Sequence, residues 1–435
     1  MSTNSKVQAT PATASSHQWI ISWFSISQVW LLLGFALALL IACRTSATRQ
    51  VWDARPAIAR LQAGNRLQNE VDDLAKPLLA SGEAYGMVIG VVLPDGSTQT
   101  FGYGRTGRPG DPNPPDGDSL FQIGSVSKVF LATLVVQLAE EGQLRYDETV
   151  RDILPTNVVL SADASPLTIR QLVTHTSGLP REPKWPNQLA SLASYLVMGH
   201  NIYGHLNTPL LYSYLRTCHL RVPEPRPFHY SNMGYGLLAN LIAVKTGRPA
   251  DDLIVEKICR PLNMTSSVFV LDENQKRHLA VGHVGNQACL RFRSAPMAPW
   301  EMGDLMRPVS GMYSTVNDLL TFAKANLGMI HHPLELVLAS THRVQVESPR
   351  GGEALGWIVS RFDDGQRIIT FKDGMVSGYR AYIGMDLNTR VAVVVLNNQF
   401  SWDDKIAHNL LLRVAGAYSR NPPPLEAAVQ HETRD

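Results

Sequence analysis

A serine and a lysine three residues apart, Ser125 and Lys128, have the clearest chemical potential in the sequence. A serine hydroxyl is a weak nucleophile at neutral pH, so an enzyme that uses one needs a base beside it. The stretch from Gly124 to Leu144 contains good helix formers and few breakers, which predicts a largely apolar core helix. The two side chains share one face of that helix, where burial would lower the pKa of the lysine. Because this spacing also arises by chance, the prediction of a serine nucleophile depends on two further motifs.

The second motif, Tyr230-Ser231-Asn232, offers a phenol and a carboxamide. In an extended or turn segment alternate side chains point the same way, so Tyr230 and Asn232 can face one pocket. A phenol can relay a proton between a serine and a leaving group, and a carboxamide can hold a substrate amide. Taken alone, the motif favours a surface turn, because Gly234 and Gly236 follow it.

The third motif has two candidates, Lys245-Thr246-Gly247 and Lys372-Asp373-Gly374. The first ends a helical run and precedes Arg248-Pro249, so Gly247 is typical of a helix C-cap and Lys245 of a solvated helix end. The second closes a β-branched run and leads into an antiparallel meander, Tyr379 to Met385 and Val391 to Leu396. A strand beside the nucleophile can offer a backbone N–H to an oxyanion, and Met375 is the predicted donor.

In this order the three motifs resemble those of the penicillin-recognising serine hydrolases, which include class C β-lactamases, low-molecular-mass penicillin-binding proteins and related esterases. The resemblance runs from about residue 68 to about residue 418. The segment Gly178 to Glu182 resembles especially the periplasmic D-alanyl-D-alanine carboxypeptidase and endopeptidase branch. Other stretches that look like the family are Thr174 to Pro180, Arg260 to Met264, Gly311 to Thr315 and Leu355 to Trp357.

The resemblance implies an acyl-enzyme mechanism on D-Ala-containing peptidoglycan peptides or β-lactams. It makes Ser125 the acylated nucleophile and Lys128 its base, and it gives Tyr230 a share in proton transfer. Lys372 would steady Tyr230 and attract a substrate carboxylate. The predicted substrate-binding residues are Asn232, Lys372, Gly374, Met375 and Arg380.

The third motif departs from the family at Asp373, where threonine or serine is usual. A carboxylate that faced the pocket would repel a substrate carboxylate, and Arg380 is the residue that could compensate. The departure bears on the substrate rather than on the chemistry, because the nucleophile and the proton-transfer groups are intact. Two alternatives therefore remain open: a carboxylesterase with the same machinery, and a membrane-held penicillin sensor that acylates but hardly deacylates.

The N-terminal region suggests a membrane attachment. Residues 19 to 42 carry no charged side chain, and at ~1.5 Å per residue they cover a bilayer core of roughly 30 Å. Leu40-Ile41-Ala42-Cys43 has the form of a lipoprotein processing site, so lipidation at Cys43, an uncleaved anchor and a buried helix all remain open. The segment before the apolar stretch carries only one basic residue, Lys6, which is unfavourable for a signal peptide. Four arginines follow the apolar stretch, and their position conflicts with a simple anchor that obeys the positive-inside rule: Arg44, Arg49, Arg55 and Arg60. Both membrane interpretations place the enzyme on the periplasmic side of the cell envelope.

The composition is that of a globular enzyme, with 435 residues, 45% hydrophobic and 17% charged, enough for a large core. A net charge of +2 gives no reason to expect a nucleic-acid partner. The histidines form no metal motif and His175 is predicted to be a core residue, so no cofactor is expected. If Cys43 is lipidated, one internal disulfide at most can form, and its pairing stays open among Cys218, Cys259 and Cys289.

The predicted fold is α/β (α+β), an antiparallel β-lactamase/transpeptidase-like sheet flanked by helices, with a mostly helical second lobe from about 125 to 340. Strands at Tyr85 to Leu93 and Ser97 to Tyr103 should join the C-terminal strands, and a helix from Trp402 to Tyr418 should cover the sheet. The segment Arg181 to Pro227 is predicted to rim the cleft. The predicted domains are a leader or anchor at 1–43, a tether at 44–67, the catalytic domain at 68–418 and a disordered tail at 419–435.

Overall fold

The protein was analysed as a computed structural model, which describes residues 54–182, 191, 193–195, 197, 199–220, 224–287, 290–348, 351–362, 367–401 and 406–419. In chain order its strands are β1 (Gly86–Val92), β2 (Thr98–Gly104), β3 (Phe121–Gln122), β4 (Gly282–His283), β5 (Pro296–Met297), β6 (Tyr313–Ser314), β7 (Val346–Ser348), β8 (Gly351–Glu353), β9 (Ile358–Phe362), β10 (Arg367–Val376), β11 (Tyr379–Asp386) and β12 (Val391–Asn397). Within the described residues one antiparallel sheet has the order β2-β1-β12-β11-β10-β9-β8-β7, while β3 pairs with β6 and β4 with β5. The predicted antiparallel sheet is confirmed.

The helices precede, interrupt and follow these strands. They are α1 (Arg55–Gln62), α2 (Leu67–Ala80), α3 (Ser127–Glu140), α4 (Val150–Ile153), α5 (Ile169–Val173), α6 (Thr208–Thr217), α7 (Asn232–Thr246), α8 (Ala250–Ile254), α9 (Glu273–His278), α10 (Arg307–Ser310), α11 (Val316–Asn326), α12 (Glu335–Thr341) and α13 (Ala407–Ala417). A 3₁₀ turn, Gly124–Val126, precedes α3, and a π-helical turn, Val255–Cys259, follows α8. The helices from α3 to α12 form the second lobe that the sequence predicted.

Both faces of the central sheet are covered, which explains why β1 and β11 are buried along their whole length and β12 is buried from Val391 to Leu396. On β1, Val88 and Val92 belong to the core that contains α3 and α11, whereas Met87, Ile89 and Val91 belong to the core that contains α2 and α13. We call these the nucleophile face and the rear face of the sheet. The division follows from the two-residue period of a strand.

The structure corrects three boundaries. The helix predicted to Leu144 ends at Glu140, because Gly142 adopts a left-handed φ of 69°. The prediction that residues 44–67 form a tether is wrong for Arg55–Gln62, which form helix α1. In this helix Ala57 and Ile58 are buried, and Ile58 packs against Gly416. The cover helix is observed as α13, whereas Trp402 and the three residues after it lie outside the described residues.

The predicted membrane attachment and disulfide are only partly accessible to the structure. Residues 19 to 42 and Cys43 lie outside the described residues, as does Cys289. Within the described part of the chain no helix is both long and apolar enough to span a bilayer. Cys218 and Cys259 are buried free thiols, so they do not pair with each other.

Candidate active site

Ser125 lies on the 3₁₀ turn immediately before α3, where it is half-buried among buried neighbours. The turn is fixed by Ser127, whose Oγ donates to the carbonyl of Gly124 at 2.7 Å and accepts from the amide of Met312 at 3.3 Å. Gly124 has a φ of 54°, and a Cβ atom built on it would lie 2.9 Å from the amide nitrogen of Met375. The nucleophile turn therefore packs backbone to backbone against β10.

Lys128 is fully buried one turn into α3, as the sequence predicted. Its Nζ donates to Ser125 Oγ at 3.0 Å and to the carbonyl of Val309 at 3.3 Å. The pKa of Lys128 is lowered to about 8, mainly by burial; the nearby Tyr230 opposes this change, and the positive charge of Lys372 contributes to it. A lysine with this pKa is neutral in about one-tenth of molecules at pH 7 and in more of them at higher pH, and the neutral amine can accept a proton.

Tyr230, in the extended segment before α7, reaches the same hydroxyl. Its phenol donates to Ser125 Oγ at 2.8 Å. Burial alone would raise the pKa of Tyr230, but the positive charges of Lys128 and Lys372 outweigh it and hold the pKa below its usual value of 10. The two Nζ atoms lie 5.1 and 5.0 Å from the centroid of the phenol ring. One serine oxygen thus contacts two groups that are both tuned to exchange protons.

The motif Tyr230-Ser231-Asn232 is not a surface turn. Ser231 is the N-cap of α7, because its Oγ accepts from the amide of Gly234 at 2.8 Å and donates to the carbonyl of Pro180 at 2.6 Å. Through the contact with Pro180, Ser231 also anchors the start of α7 to the segment Gly178 to Glu182. Tyr230 therefore stays in the extended segment before the helix, with Asn232 at its first turn.

Asn232 is buried and has a defined partner. Its Nδ2 donates to Glu182 Oε1 at 3.0 Å, and the same carboxylate oxygen accepts from Tyr203 at 2.9 Å. Asn232 Oδ1 is buried and has no hydrogen-bond partner among the residues that the structure describes. A buried acceptor without a partner costs about 1–3 kcal/mol, so an arriving N–H group would be bound favourably there. Glu182 thereby fixes which end of the carboxamide is available.

Lys372 and Gly374 lie on the part of β10 that runs past the nucleophile turn. Lys372 is buried, and β9 pairs only with the first half of β10, from Arg367 to Phe371. A Cβ atom on Gly374 would lie 2.0 Å from the carbonyl oxygen of Ile123 and 2.9 Å from the amide nitrogen of Ser125. Only glycine allows this approach, which brings the Met375 amide to the turn.

Asp373 and Arg380 lie on the rear face. Asp373 is opposite Tyr382 on β11, which belongs to the rear core, whereas Lys372 is opposite Ile383, which belongs to the nucleophile-face core. Arg380 Nη2 donates to Asp373 Oδ2 at 3.2 Å, and its Nη1 donates to the carbonyl of Ser401 at 2.8 Å. The prediction that Arg380 binds substrate is therefore corrected, since strand alternation turns both side chains away from Ser125.

The four site residues Ser125, Lys128, Tyr230 and Lys372 all lie within the part of the chain that a family model matches. That family is described as Beta-lactamase, and its model matches residues 71–417. The chain belongs to the beta-lactamase family. It is a serine hydrolase.

Individual members of the beta-lactamase family agree with this assignment. The D-alanyl-D-alanine-carboxypeptidase/endopeptidase AmpH of Escherichia coli K12 is 26% identical over 330 residues, which cover 72% of this chain and 80% of AmpH. A solved class C beta-lactamase has a TM-score of 0.69 at 22% identity and covers 82% of this chain and 97% of its own. The D-alanine carboxypeptidase AmpC of Burkholderia cenocepacia has a TM-score of 0.66 at 23% identity, with 81% and 99% covered. The two solved structures establish the fold.

His175 supports the site of this beta-lactamase-family enzyme from the core, as the sequence predicted. Its ring lies between those of Tyr230 and Tyr235, with centroids 4.6 and 4.5 Å away. Its Nδ1 accepts from the amide of Ser231 at 3.0 Å. Burial keeps the pKa of His175 well below its usual value, so the ring stays neutral behind the phenol. Within the described residues no cluster of His, Cys, Asp or Glu is suited to hold a metal ion.

Sequence reasoning missed Arg181 and Glu182 as site residues, although it expected the segment from Arg181 to rim the cleft. Arg181 lies with its guanidinium carbon 5.1 Å from the centroid of the Tyr230 ring, and Glu182 binds Asn232. The available signal was their place in the stretch Gly178 to Glu182 that resembles the carboxypeptidase branch. Within the segment predicted to rim the cleft, residues 183–190, 192, 196, 198 and 221–223 lie outside the described residues.

The pKa of Lys128 predicts a pH dependence for this beta-lactamase-family enzyme. If the neutral amine is the base, kcat/KM should rise with pH, because a group of pKa about 8 is roughly one-tenth neutral at pH 7 and nine-tenths neutral at pH 9. We expect about a tenfold increase between these values for an uncharged aryl ester. The midpoint belongs to the coupled Lys128–Tyr230 pair. A rate that falls across this interval would contradict a lysine base.

Proposed function

We propose that the protein forms an acyl-enzyme on Ser125 and hydrolyses D-Ala-containing peptidoglycan peptides or β-lactams. The observation that carries the proposal is the pair of hydrogen bonds to Ser125 Oγ, from Lys128 Nζ at 3.0 Å and from Tyr230 OH at 2.8 Å. The carboxypeptidase/endopeptidase description of the Escherichia coli relative supports the peptide substrate. The class C beta-lactamase descriptions of the solved structures supply the lactam alternative.

In the proposed acylation, neutral Lys128 accepts the proton of Ser125 as its oxygen attacks the carbonyl carbon. The developing oxyanion is bound by the amides of Ser125 and Met375, near the positive end of α3. Tyr230 passes a proton to the leaving nitrogen, whose bond to the acyl carbon breaks. In deacylation water adds to the same carbon and gives one proton to the Tyr230 phenolate. Protonated Lys128 then returns its proton to the Ser125 oxygen as the bond from that oxygen to the acyl carbon breaks, and the product leaves as the carboxylic acid.

The geometry of Asn232 supports an amide-containing substrate. Its Nδ2 is occupied by Glu182, so its buried Oδ1 is left to accept an N–H from the acyl part of the substrate. A peptide or an acylamino β-lactam carries such a donor, whereas a simple ester does not. This favours the leading proposal over a carboxylesterase.

The proposal is tested by incubating the wild-type catalytic domain with an acyl-D-Ala-D-Ala peptide, a fluorescent penicillin and a neutral aryl ester. Release of D-Ala, or loss of lactam faster than ester turnover, supports it. Ester turnover without any peptide or lactam reaction would replace it by the carboxylesterase. A penicillin adduct that persists for hours in intact-mass spectra without turnover would replace it by the sensor.

Lys372 should contribute strongly to this activity, and Lys245 should not. Lys372 lies on the nucleophile face near Tyr230, whereas Lys245 ends α7, where Gly247 is a left-handed C-cap and the amine pairs with Glu148. We expect Lys372→Met to lower kcat/KM by about a hundredfold, the magnitude typical of removing one electrostatic group from such a site. Lys245→Met is the matched control and should change it less than about twofold. Equal effects of the two substitutions would show that the third motif was assigned to the wrong lysine.

We further propose that residues 1–43 attach the enzyme to the cell envelope, as a lipoprotein modified at Cys43 or through an uncleaved anchor. The support is the uncharged stretch 19 to 42 and the cysteine that follows it. Cell fractionation should place the full chain in the membrane fraction. If the attachment is a lipid, Cys43→Ala should release it; if it is an anchor, the variant should remain. Recovery of the wild type in the cytosolic fraction would disprove the proposal.

A further inference from the structure

We propose that Arg181 binds a carboxylate of the substrate at the mouth of the active site. The inference rests on the proposed function and adds to it the charge that the site selects. It starts from the third motif, Lys372-Asp373-Gly374, in which Lys372 lies on the nucleophile face and Asp373 is turned to the rear, paired with Arg380. The motif therefore offers an approaching anion one buried amine and no hydroxyl.

Arg181 is a second cation at the same tyrosine. Its guanidinium carbon lies 5.1 Å from the centroid of the Tyr230 ring, a distance matched by Lys128 at 5.1 Å and Lys372 at 5.0 Å. The two lysines are buried, whereas the side chain of Arg181 is 56% exposed. Of these three cations, Arg181 is the one that solvent, and hence a substrate, reaches first.

The backbone holds Arg181 in register with the catalytic tyrosine. Its carbonyl accepts from the amides of Asn232 at 3.0 Å and Met233 at 3.2 Å, the first residues of α7. The backbone of Arg181 is thus fixed to the same helix start that positions Tyr230 and Asn232.

Glu182 leaves most of the guanidinium available. Its Oε1 is 3.4 Å from Arg181 Nε, and the same oxygen already accepts from Asn232 and Tyr203. Glu182 contacts the guanidinium at Nε, and the two terminal nitrogens form the fork that matches a carboxylate. With Lys128 and Lys372 behind it, the local charge favours an anion.

Two parts of a substrate could supply the carboxylate: the leaving group, as in a C-terminal D-amino acid, or the acyl part. Three aryl esters distinguish them and need no peptide chemistry: phenyl acetate is neutral, 3-carboxyphenyl acetate carries the charge on its leaving group, and monophenyl succinate carries it on its acyl group. The ratio of kcat/KM for each charged ester to that for phenyl acetate, corrected for spontaneous hydrolysis, is the measured quantity.

We expect the wild type to prefer one charged ester and Arg181→Gln to lower that ratio about tenfold or more, the size expected for one charge-assisted hydrogen-bonded pair. Arg181→Lys should restore part of the preference. Arg170→Gln is the matched control, because Arg170 also lies over a tyrosine, with its guanidinium carbon 4.9 Å from the Tyr146 ring centroid, and it should leave both ratios unchanged.

Ratios in Arg181→Gln equal to those of the wild type for both charged esters would overturn the inference and leave the proposed function intact. A wild type that hydrolyses none of the three esters, no peptide and no lactam would overturn the proposed function, and this inference with it. An effect confined to 3-carboxyphenyl acetate assigns the carboxylate to the leaving group. An effect confined to monophenyl succinate assigns it to the acyl part.

Discussion

Ser125→Ala is expected to abolish the penicillin adduct and to lower kcat at least about a thousandfold, because no other group replaces an acylated nucleophile. The remaining activity would come from substrate binding and the oxyanion donors. Intact-mass spectra of the catalytic domain with and without a fluorescent penicillin measure the adduct, and ester turnover measures the rate. If Ser125→Ala formed the penicillin adduct in the same yield as the wild type, the nucleophile would have to be a residue other than Ser125.

The neighbouring Ser127 provides a matched control. It lies in the same Ser125-Val126-Ser127-Lys128 segment, but its hydroxyl is buried against the Gly124 carbonyl and the Met312 amide. Ser127→Ala should keep the adduct at full stoichiometry, with a loss of stability of about 0.5–1.5 kcal/mol from the missing hydrogen bonds. Only a variant that loses the adduct and keeps its melting temperature identifies the acylated residue.

Lys128→Met should lower kcat/KM at least about a thousandfold without lowering the melting temperature by more than a few degrees. The substitution removes the base but also removes an amine whose burial disfavours its charge. Burying a charge without an ionic partner is costly, so an apolar side chain of similar length at this position should not destabilise the fold. Ester kinetics and thermal unfolding of the two proteins measure the two effects.

Lys128→Arg separates a base from a structural charge. Its guanidinium keeps the positive charge near Ser125 and Tyr230 but does not lose its proton in the accessible pH range. We expect this variant to be as inactive as Lys128→Met. Substantial activity in Lys128→Arg would mean that the charge, and not proton acceptance, is what the site requires, and that Tyr230 acts as the base.

Local patterns were sufficient for the parts of the site that depend on one element. Ser125 and Lys128 could be paired because a helical spacing of three fixes their shared face, and the structure places them 3.0 Å apart. Lys245 could be rejected because a glycine followed by a proline ends a helix, and Gly247 is the observed C-cap. The sheet followed from β-branched runs and the meander.

The rest depended on relations between distant segments. The direction of Asp373 follows from the register of β10 on β11, which the period of a single strand does not reveal. Glu182 reaches Asn232 across 50 residues, so no local pattern marks it as part of the site. Helix α1 was missed because its stability comes from packing on α13, and a short isolated helix has little stability of its own.

The packing of α1 on α13 also determines how the enzyme can be handled. Ile58 lies against Gly416, so the first and last helices of the described chain are neighbours. Helix α13 contributes to the rear core, and Leu61 of α1 packs against it. Ser125 opens on the opposite face of the sheet. A purification tag, a fluorescent fusion partner or a bead coupled beyond either of these helices therefore departs from the side away from the catalytic opening. Catalytic domain immobilised directly before α1 or directly after α13 should keep its substrate entrance turned toward the solution.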